Sequence, residues 1–292
     1  MRISLACWAL TALIGALGCS KLGIGDDKNP TAPSGPPDAG SAIVYSAVGA
    51  SDVSGYNSSQ PCGIFEDCNG TGYPWVAARQ LRTQGFSVTV YNRGIPSAVL
   101  SPRIEQIALQ YSIDVPGGNI VARSAPFIRN NSTLVTAFAG ANDVNVVIGA
   151  LAKGAGGTDP VLYIDQTVAG FASDYRDMID AMRSQASGAR IVVLNLPNMA
   201  GTPYLASATL PHKQAAQRLS VRMTTTAINT LSGVTVIDLM CDARFYQRAT
   251  YSSDGFHLSD TGNSYIGAEI VRALTESSYP APPSNCPQMS LY

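Results

Sequence analysis

The chain has 292 residues, of which 46% are hydrophobic and 13% charged, and its formal net charge is −1. This length allows one substantial core or two domains, and the hydrophobic content excludes disorder over most of the chain. The near-neutral charge offers no electrostatic surface for nucleic acid. Beyond the first residues, no apolar run reaches the roughly 18 residues that a membrane span needs.

The first residues have the pattern of an export signal. Arg2 precedes an apolar run, Leu5 to Leu17, that is too short to cross a bilayer, so residues 1–18 are predicted to be a signal peptide. Two interpretations stay open. Cys19 becomes the lipidated first residue of a bacterial cell-envelope lipoprotein, or the protein is cleaved at small residues and is secreted or periplasmic. Residues 19–40 are rich in Pro, Gly and Ser and predict a flexible linker. Membrane contact is expected only through a lipid on Cys19.

The remaining cysteines also indicate an exported protein. If Cys19 is lipidated, four cysteines are left, which is enough for two disulfides in an oxidising compartment. Four cysteines allow three pairings. The favoured one joins Cys62 to Cys68, closing a short loop, and Cys241 to Cys286, holding the C-terminal tail.

From Ser41 onward, short runs rich in β-branched residues alternate with longer amphipathic stretches. Such runs are typical of strands buried on both faces of a parallel sheet. The predicted strands are 43–48, 86–91, 134–139, 190–195 and 234–238. The predicted helices are about 74–84, 102–111, 166–187, 211–231 and 260–276. This alternation predicts one three-layer α/β/α domain, residues 41–276, with a mainly parallel five-stranded sheet, followed by an irregular proline-rich tail, 277–292.

Asp254 and His257 are the best candidates for acid–base chemistry. The chain has only two histidines, and His212 has no carboxylate nearby in sequence. A histidine that acts as a general base needs a carboxylate to fix its tautomer and to stabilise its protonated form. Asp254 lies three positions before His257, so the first can hold the second. The alternative is a surface salt link or a capping pair.

Three further segments follow predicted strands. Ser51 comes after the first strand, where its hydroxyl could be exposed at a helix start; the alternative is a serine N-cap. Gly94 comes after the second, where its N–H could point into a site, or it is an ordinary turn glycine. Asn142 comes after the third, where its amide could donate to an oxyanion. The alternative there is a helix cap, a role we expect of Asp143.

The carboxyl ends of parallel strands share one edge of a sheet, where ligands bind. Ser, Gly, Asn and an Asp–His pair, in this order at this edge, resemble the SGNH (GDSL-type) hydrolase family over about residues 43–274. The first block departs from the usual Gly-Asp-Ser: here it is Gly49-Ala50-Ser51, with the aspartate after the serine. An α/β-hydrolase is less favoured because the second glycine of Gly-x-Ser-x-Gly is missing.

The resemblance implies a flavodoxin-like SGNH hydrolase fold and assigns roles to five residues. Ser51 would be the nucleophile, His257 the base and Asp254 its orienter. The oxyanion hole would consist of the N–H groups of Ser51 and Gly94 and the side chain of Asn142.

These residues predict a serine ester hydrolase of the esterase or lipase type, acting through an acyl-enzyme on Ser51. The substrate would be a small-molecule, lipid or glycan ester. No cofactor, metal or protein partner is expected, since the sequence offers no metal-ligand cluster. Two alternatives stay open: an O-deacetylase acting on carbohydrate or peptidoglycan, and a non-catalytic binding module tethered to the envelope on the same fold.

Overall fold

The computed structural model describes residues 35–63, 65–66 and 68–292. The predicted signal peptide, Cys19 and the linker up to residue 34 lie outside this part of the chain. Residues 35–40 precede the first strand and contain only bends and turns.

A parallel sheet of five strands, in the order β2-β1-β3-β4-β5, forms the centre of the domain. All five predicted strands are present, and the second continues to Gly94 instead of ending at Tyr91. Every residue of β3 and β4 is buried, as expected for central strands covered on both faces. The strands are β1 (Ala42–Gly49), β2 (Ser87–Gly94), β3 (Leu134–Phe138), β4 (Arg190–Leu194) and β5 (Thr235–Ile237).

Seven α-helices lie in the described part of the chain. They are α1 (Tyr73–Thr83), α2 (Pro102–Gln110), α3 (Ile120–Arg123), α4 (Ala141–Ala152), α5 (Pro160–Gln185), α6 (Leu210–Arg222) and α7 (Asp260–Thr275). Helices α1 and α7 pack together on one face of the sheet, and α2, α4, α5 and α6 contact one another on the other. The three-layer α/β/α prediction is therefore confirmed, and the strand order 2-1-3-4-5 is the flavodoxin-like one.

Four helices differ from the predictions. The short helix α3 was not predicted, and α6 ends at Arg222 instead of residue 231 and continues as a π-helix, Met223–Ile228. Helix α4 was not predicted, because its run of β-branched residues, Val144 to Ile148, is typical of a strand. Burial of Val144 and Val147 against the core overrides this local preference. Helix α5 begins at Pro160 instead of residue 166. The Asp159 side chain accepts a hydrogen bond from the N–H of Leu162 (2.9 Å) and thereby caps the helix.

The carboxyl end of β1 lies between the carboxyl ends of β2 and β3, at the edge of the sheet where ligands are expected to bind. Gly49 pairs with Gly94 of β2 on one side and with Phe138 of β3 on the other. Its φ is +154°, and a Cβ there would lie 2.3 Å from the Phe138 carbonyl oxygen. Only glycine fits this position, from which the chain leaves the sheet toward Ser51. Because the strand order reverses between β1 and β3, this is the switch point where such sheets bind ligands.

Two disulfides join parts of the surface to this core. They are Cys62–Cys68, in the loop after the segment that contains Ser51, and Cys241–Cys286, which holds the C-terminal tail; both have Cα atoms 5.7 Å apart. The tail is irregular apart from a short 3₁₀ helix, Pro287–Ser290. Within the described ranges, no helix has the length and apolar character that a membrane crossing requires.

Asp143 does not cap α4, contrary to expectation. The N-cap is Gly140 and makes no side-chain cap. The fully buried Asp143 carboxylate instead accepts the N–H of Leu100 on both oxygens (3.0 and 3.1 Å). This contact ties the segment after β2 to the start of α4. Burial raises the pKa of Asp143 to about 7, although the hydrogen bond from Leu100 opposes the shift.

This raised pKa has a consequence for stability. Folded Asp143 binds a proton more tightly than unfolded Asp143, so its contribution is greatest below about pH 4 and is lost as the pH rises to about 7. We expect Asp143→Asn to remove this loss while Oδ1 still accepts from Leu100. Urea unfolding of both proteins at about pH 4.5 and about pH 7.5 measures the difference. An identical pH dependence in the two proteins contradicts the expectation.

Candidate active site

Ser51 lies at the start of a 3₁₀ helix, Ser51–Ser54, directly after β1. Its side chain is buried, with only 4% of the residue exposed. Ser51 Oγ lies 2.9 Å from Nε2 of His257, although the two residues are 206 positions apart in sequence. The hydroxyl can therefore give its proton to this ring nitrogen.

His257 lies in a loop closed by a β-bridge between Tyr251 and Leu258. Within the loop, the Ser252 N–H donates to the His257 carbonyl oxygen (2.8 Å). Gly255 turns the chain with a φ of +74°, and a Cβ there would lie 2.9 Å from the Tyr204 nitrogen. Glycine is therefore required between Asp254 and His257.

The other ring nitrogen of His257, Nδ1, lies 2.6 Å from Oδ2 of Asp254. With the proton on Nδ1 donated to the carboxylate, Nε2 is left to accept the Ser51 proton. The structure thus joins Ser51, His257 and Asp254 in one hydrogen-bonded chain. This is the geometry of an activated nucleophile, a base and a carboxylate that orients the base.

Asp254 is held in its charged form. Partial burial acts to raise the pKa of Asp254, but hydrogen bonds outweigh it and hold the pKa well below its usual range. The largest of these comes from the His257 ring. Oδ1 also accepts from the Ser252 hydroxyl (2.8 Å) and from the N–H groups of Phe256 (2.9 Å) and His257 (3.0 Å).

Aromatic rings flank the His257 imidazole. The Tyr56 ring is tilted against it with centroids 4.8 Å apart, and Phe256 meets it edge-on at 5.0 Å. Tyr204 in turn contacts Phe256, with centroids 4.9 Å apart. These contacts restrict the rotation of the imidazole and give the site an apolar wall.

Ser51 and His257 open into a cleft of about 390 Å³. Seven of its thirteen lining residues are apolar or aromatic and six are polar, including the exposed carboxylate of Asp114. The lining residues are Ser51, Tyr56, Pro96, Ser97, Val99, Ile113, Asp114, Val115, Asn142, Asn145, Val146, Phe256 and His257.

Asn142 lies in the first turn of α4 and lines the cleft, as the sequence predicts. Its Nδ2 donates one hydrogen to the carbonyl oxygen of Ala98 (2.8 Å), which fixes the direction of the amide. Since Nδ2 carries two hydrogens, the second is left for a ligand. The Ser51 N–H makes no hydrogen bond to any described residue, and Ser51 lines the same cleft.

Gly94 is not brought into the cleft. It is buried at the end of β2, and its N–H donates to Oδ1 of Asn92 (2.8 Å). The Gly94 N–H, which was expected to donate to an oxyanion, therefore donates to Asn92 instead. The prediction of Gly94 in the site is corrected on this ground.

Ser97, three residues later, takes the place expected of Gly94. The Ala98 N–H donates to the Ile95 carbonyl oxygen (3.1 Å), closing a tight turn with Pro96 second and Ser97 third. Ser97 has a φ of +63°, the value that a type II turn needs at its third residue. It is exposed in the cleft, and its N–H makes no hydrogen bond to the described residues. Proline followed by a small residue just after a strand was the signal, but glycine is the usual residue at such a position.

Asp52 is the residue directly after Ser51. It is half-buried, and burial raises its pKa although the positive form of His257 opposes the shift. Asp52 and Asn142 both line a small cavity.

His212 lies elsewhere, as expected from its sequence context. It lines a larger groove of about 940 Å³ between α4, α5 and α6, which contains no serine or cysteine beside a base. No group of three or more His, Cys, Asp or Glu in residues 35–63, 65–66 and 68–292 is placed to hold a metal ion.

Comparison with solved structures shows the same fold in lipases and a phospholipase. A lipase, Lip_vut3, from a goat rumen metagenome has a TM-score of 0.53 and 16% identity, covering 81% of this chain and 100% of its own. Phospholipase A1 from Streptomyces albidoflavus NA297 (0.52, 15%) and an extracellular lipase from Streptomyces rimosus (0.51, 16%) each match 80% of this chain and 100% of theirs.

Comparison with curated protein sequences gives no significant match. The profile of the GDSL-like Lipase/Acylhydrolase family matches residues 47–265, about three quarters of the sequence. This range begins in β1 and ends in α7, so it includes Ser51, Asn142, Asp254 and His257. The chain therefore belongs to the GDSL-like lipase/acylhydrolase family and is a serine ester hydrolase.

Proposed function

We propose that the protein cleaves carboxylic esters through a covalent acyl-enzyme on Ser51. The observation that carries this proposal is the continuous contact from Ser51 Oγ to His257 Nε2 (2.9 Å) and from His257 Nδ1 to Asp254 Oδ2 (2.6 Å). Such an arrangement raises the nucleophilicity of a serine that is otherwise unreactive at neutral pH.

The reaction has two halves. Ser51 Oγ attacks the ester carbonyl carbon while His257 takes the hydroxyl proton, and the alcohol leaves with that proton. A water molecule, deprotonated by His257, then attacks the acyl carbon. The acid departs, and Ser51 regains its proton. Asp254 remains ionised throughout and stabilises the protonated imidazole.

The negative charge on the carbonyl oxygen needs donors in each half-reaction. We assign this role to the Ser51 N–H, the Ser97 N–H and the free hydrogen on Nδ2 of Asn142. The Ser97 N–H replaces that of Gly94, which is bonded to Asn92. Donors fixed by a turn and by a helix start need little reorganisation when charge develops.

The cleft favours esters with a small or medium apolar acyl group. A volume of about 390 Å³ is at the small end for ligand sites, and Val99, Ile113, Val115 and Val146 give it apolar walls. The exposed Asp114 carboxylate disfavours substrates that carry negative charge near the ester.

We further propose that the protein is exported, which its two disulfides support, and that Cys19 is the lipid attachment site.

Ser51→Ala tests the central step. Because no other hydroxyl of the described residues is paired with His257, we expect kcat for p-nitrophenyl butyrate to fall at least about 10,000-fold. The melting temperature should change little, since the substitution removes one atom from a small side chain. Ser187→Ala, an exposed serine after α5, serves as the matched control. Comparable activity in the Ser51 variant and the wild type rules out this nucleophile.

A series of p-nitrophenyl esters tests the substrate class. The apolar but small cleft predicts the highest kcat/KM for butyrate or octanoate and a steep fall for palmitate. Best hydrolysis of palmitate overturns the size argument. Activity confined to acetate, together with release of acetate from acetylated glycans, supports the O-deacetylase instead.

Asn142→Ala and Ser97→Gly separate the two kinds of oxyanion donor. Removing the Asn142 amide should lower kcat about 100- to 1,000-fold with a small change in KM. Ser97→Gly keeps the backbone N–H and suits its positive φ, so we expect near wild-type kcat and equal or higher stability. A large loss of kcat in Ser97→Gly would show that the hydroxyl, and not the N–H, takes part.

A further inference from the structure

We propose that Asn57 is a positioning residue of this site, whose side-chain amide fixes the oxygen of Asp254 that supports His257. The inference rests on the proposed function and extends it, since it adds a fourth side chain to the hydrogen-bonded chain of Ser51, His257 and Asp254.

The evidence starts with the two oxygens of Asp254. Oδ1 is held by three donors from its own loop, at 2.8 to 3.0 Å. Oδ2 accepts from Nδ1 of His257 (2.6 Å) and from Nδ2 of Asn57 (2.8 Å). Among the residues that the structure describes, these are its two donors. The atom that meets the base is thus oriented by a side chain 197 residues away in sequence.

The backbone conformation of Asn57 allows its side chain to make this contact. The Ser58 N–H donates to the Gly55 carbonyl oxygen (2.9 Å), and Asn57 is the third residue of the resulting turn. Its φ is +61°, in the left-handed region that asparagine tolerates better than most residues with a side chain. Glycine would suit the turn as well but would lack the amide. Asparagine meets both requirements.

The loop that carries Asn57 is held at several other points. The N–H and hydroxyl of Ser59 both donate to the Asp260 carboxylate (2.9 and 2.6 Å) at the start of α7. The Cys62 N–H donates to the Ser54 carbonyl oxygen (2.9 Å), and the disulfide to Cys68 closes the loop. These contacts fix the loop that carries Asn57, so its side-chain amide is held in place between Ser51 and the loop that contains His257.

The amide does two things to Asp254. It occupies one lone pair of Oδ2, so the other is directed at His257, and it draws negative charge away from that oxygen. The other titratable or charged groups near the pair are Tyr56, whose ring contacts His257, Asp52 next to Ser51, Tyr204 beside Phe256, and Arg248, which donates to carbonyl oxygens of the loop (2.5 to 3.2 Å). None of these donates to Oδ2.

Three variants test the role of Asn57. Asn57→Gly keeps the turn and removes the amide, and Asn57→Asp keeps the size but replaces the donor with a second carboxylate. Ser59→Ala is the matched control, because it removes a carboxylate hydrogen bond from the same loop without touching Asp254. We expect kcat to fall about tenfold in Asn57→Gly with KM nearly unchanged, and further in Asn57→Asp. Ser59→Ala should stay within about twofold of the wild type.

A spectroscopic readout does not depend on turnover. The chain has only two histidines, so ¹⁵N-histidine NMR gives two ring titrations, which His212→Gln assigns. Without the amide, Oδ2 carries more negative charge and stabilises the protonated ring. The His257 titration midpoint should therefore move to higher pH in both Asn57 variants but not in Ser59→Ala.

Either of two results overturns the proposal. One is an unchanged His257 midpoint in both Asn57 variants; the other is an equal loss of kcat in Asn57→Gly and Ser59→Ala, which indicates loop anchoring alone. If the wild type hydrolyses no ester, the proposed function fails, and the NMR titrations still decide the role of Asn57.

Discussion

The site depends on the hydrogen bond between the Asp254 carboxylate and the His257 ring. Five hydrogen bonds converge on the two oxygens of this carboxylate, three from its own loop, one from the His257 ring and one from Asn57. They keep it ionised despite partial burial, and an ionised carboxylate fixes the proton on Nδ1 of His257. The opposite ring nitrogen is then free to accept from Ser51. Loss of this charge would leave the imidazole without a defined tautomer or a stabilised protonated form.

The parallel sheet supplies the second constraint, because it gathers distant segments at one edge. Ser51 follows β1, the Ser97 turn follows β2 and Asn142 follows β3, while Asp254 and His257 come from the loop before α7. Because Gly49 has no Cβ, the end of β1 can approach the Phe138 backbone of β3 closely. Gly255 likewise lets the loop that contains His257 pack against the backbone of Tyr204. Asp143 joins the second and third of these segments through Leu100. The proposed oxyanion donors are therefore held by the same framework as the proposed base.

Much of this could be predicted from the sequence, for identifiable reasons. Five short β-branched runs predict the strands, and the scarcity of histidines singles out His257 with Asp254 beside it. Helix α4 was missed because Val144 to Ile148 favour a strand locally, and only packing decides otherwise. Ser97 was missed because glycine is the usual residue at the left-handed position of such a turn, so Pro96 followed by a serine is only a weak signal. The contact of Asn57 with Asp254 spans 197 residues and depends on the fold of a disulfide-closed loop, so no local pattern indicates it.

The most direct test of the account is covalent labelling by a fluorophosphonate, followed by peptide mapping of the modified residue. The account predicts one equivalent of label, carried by Ser51, in the folded wild-type protein, and slow labelling when His257 is replaced by glutamine. Label on a different serine, or no label on protein that is shown to be folded, contradicts it.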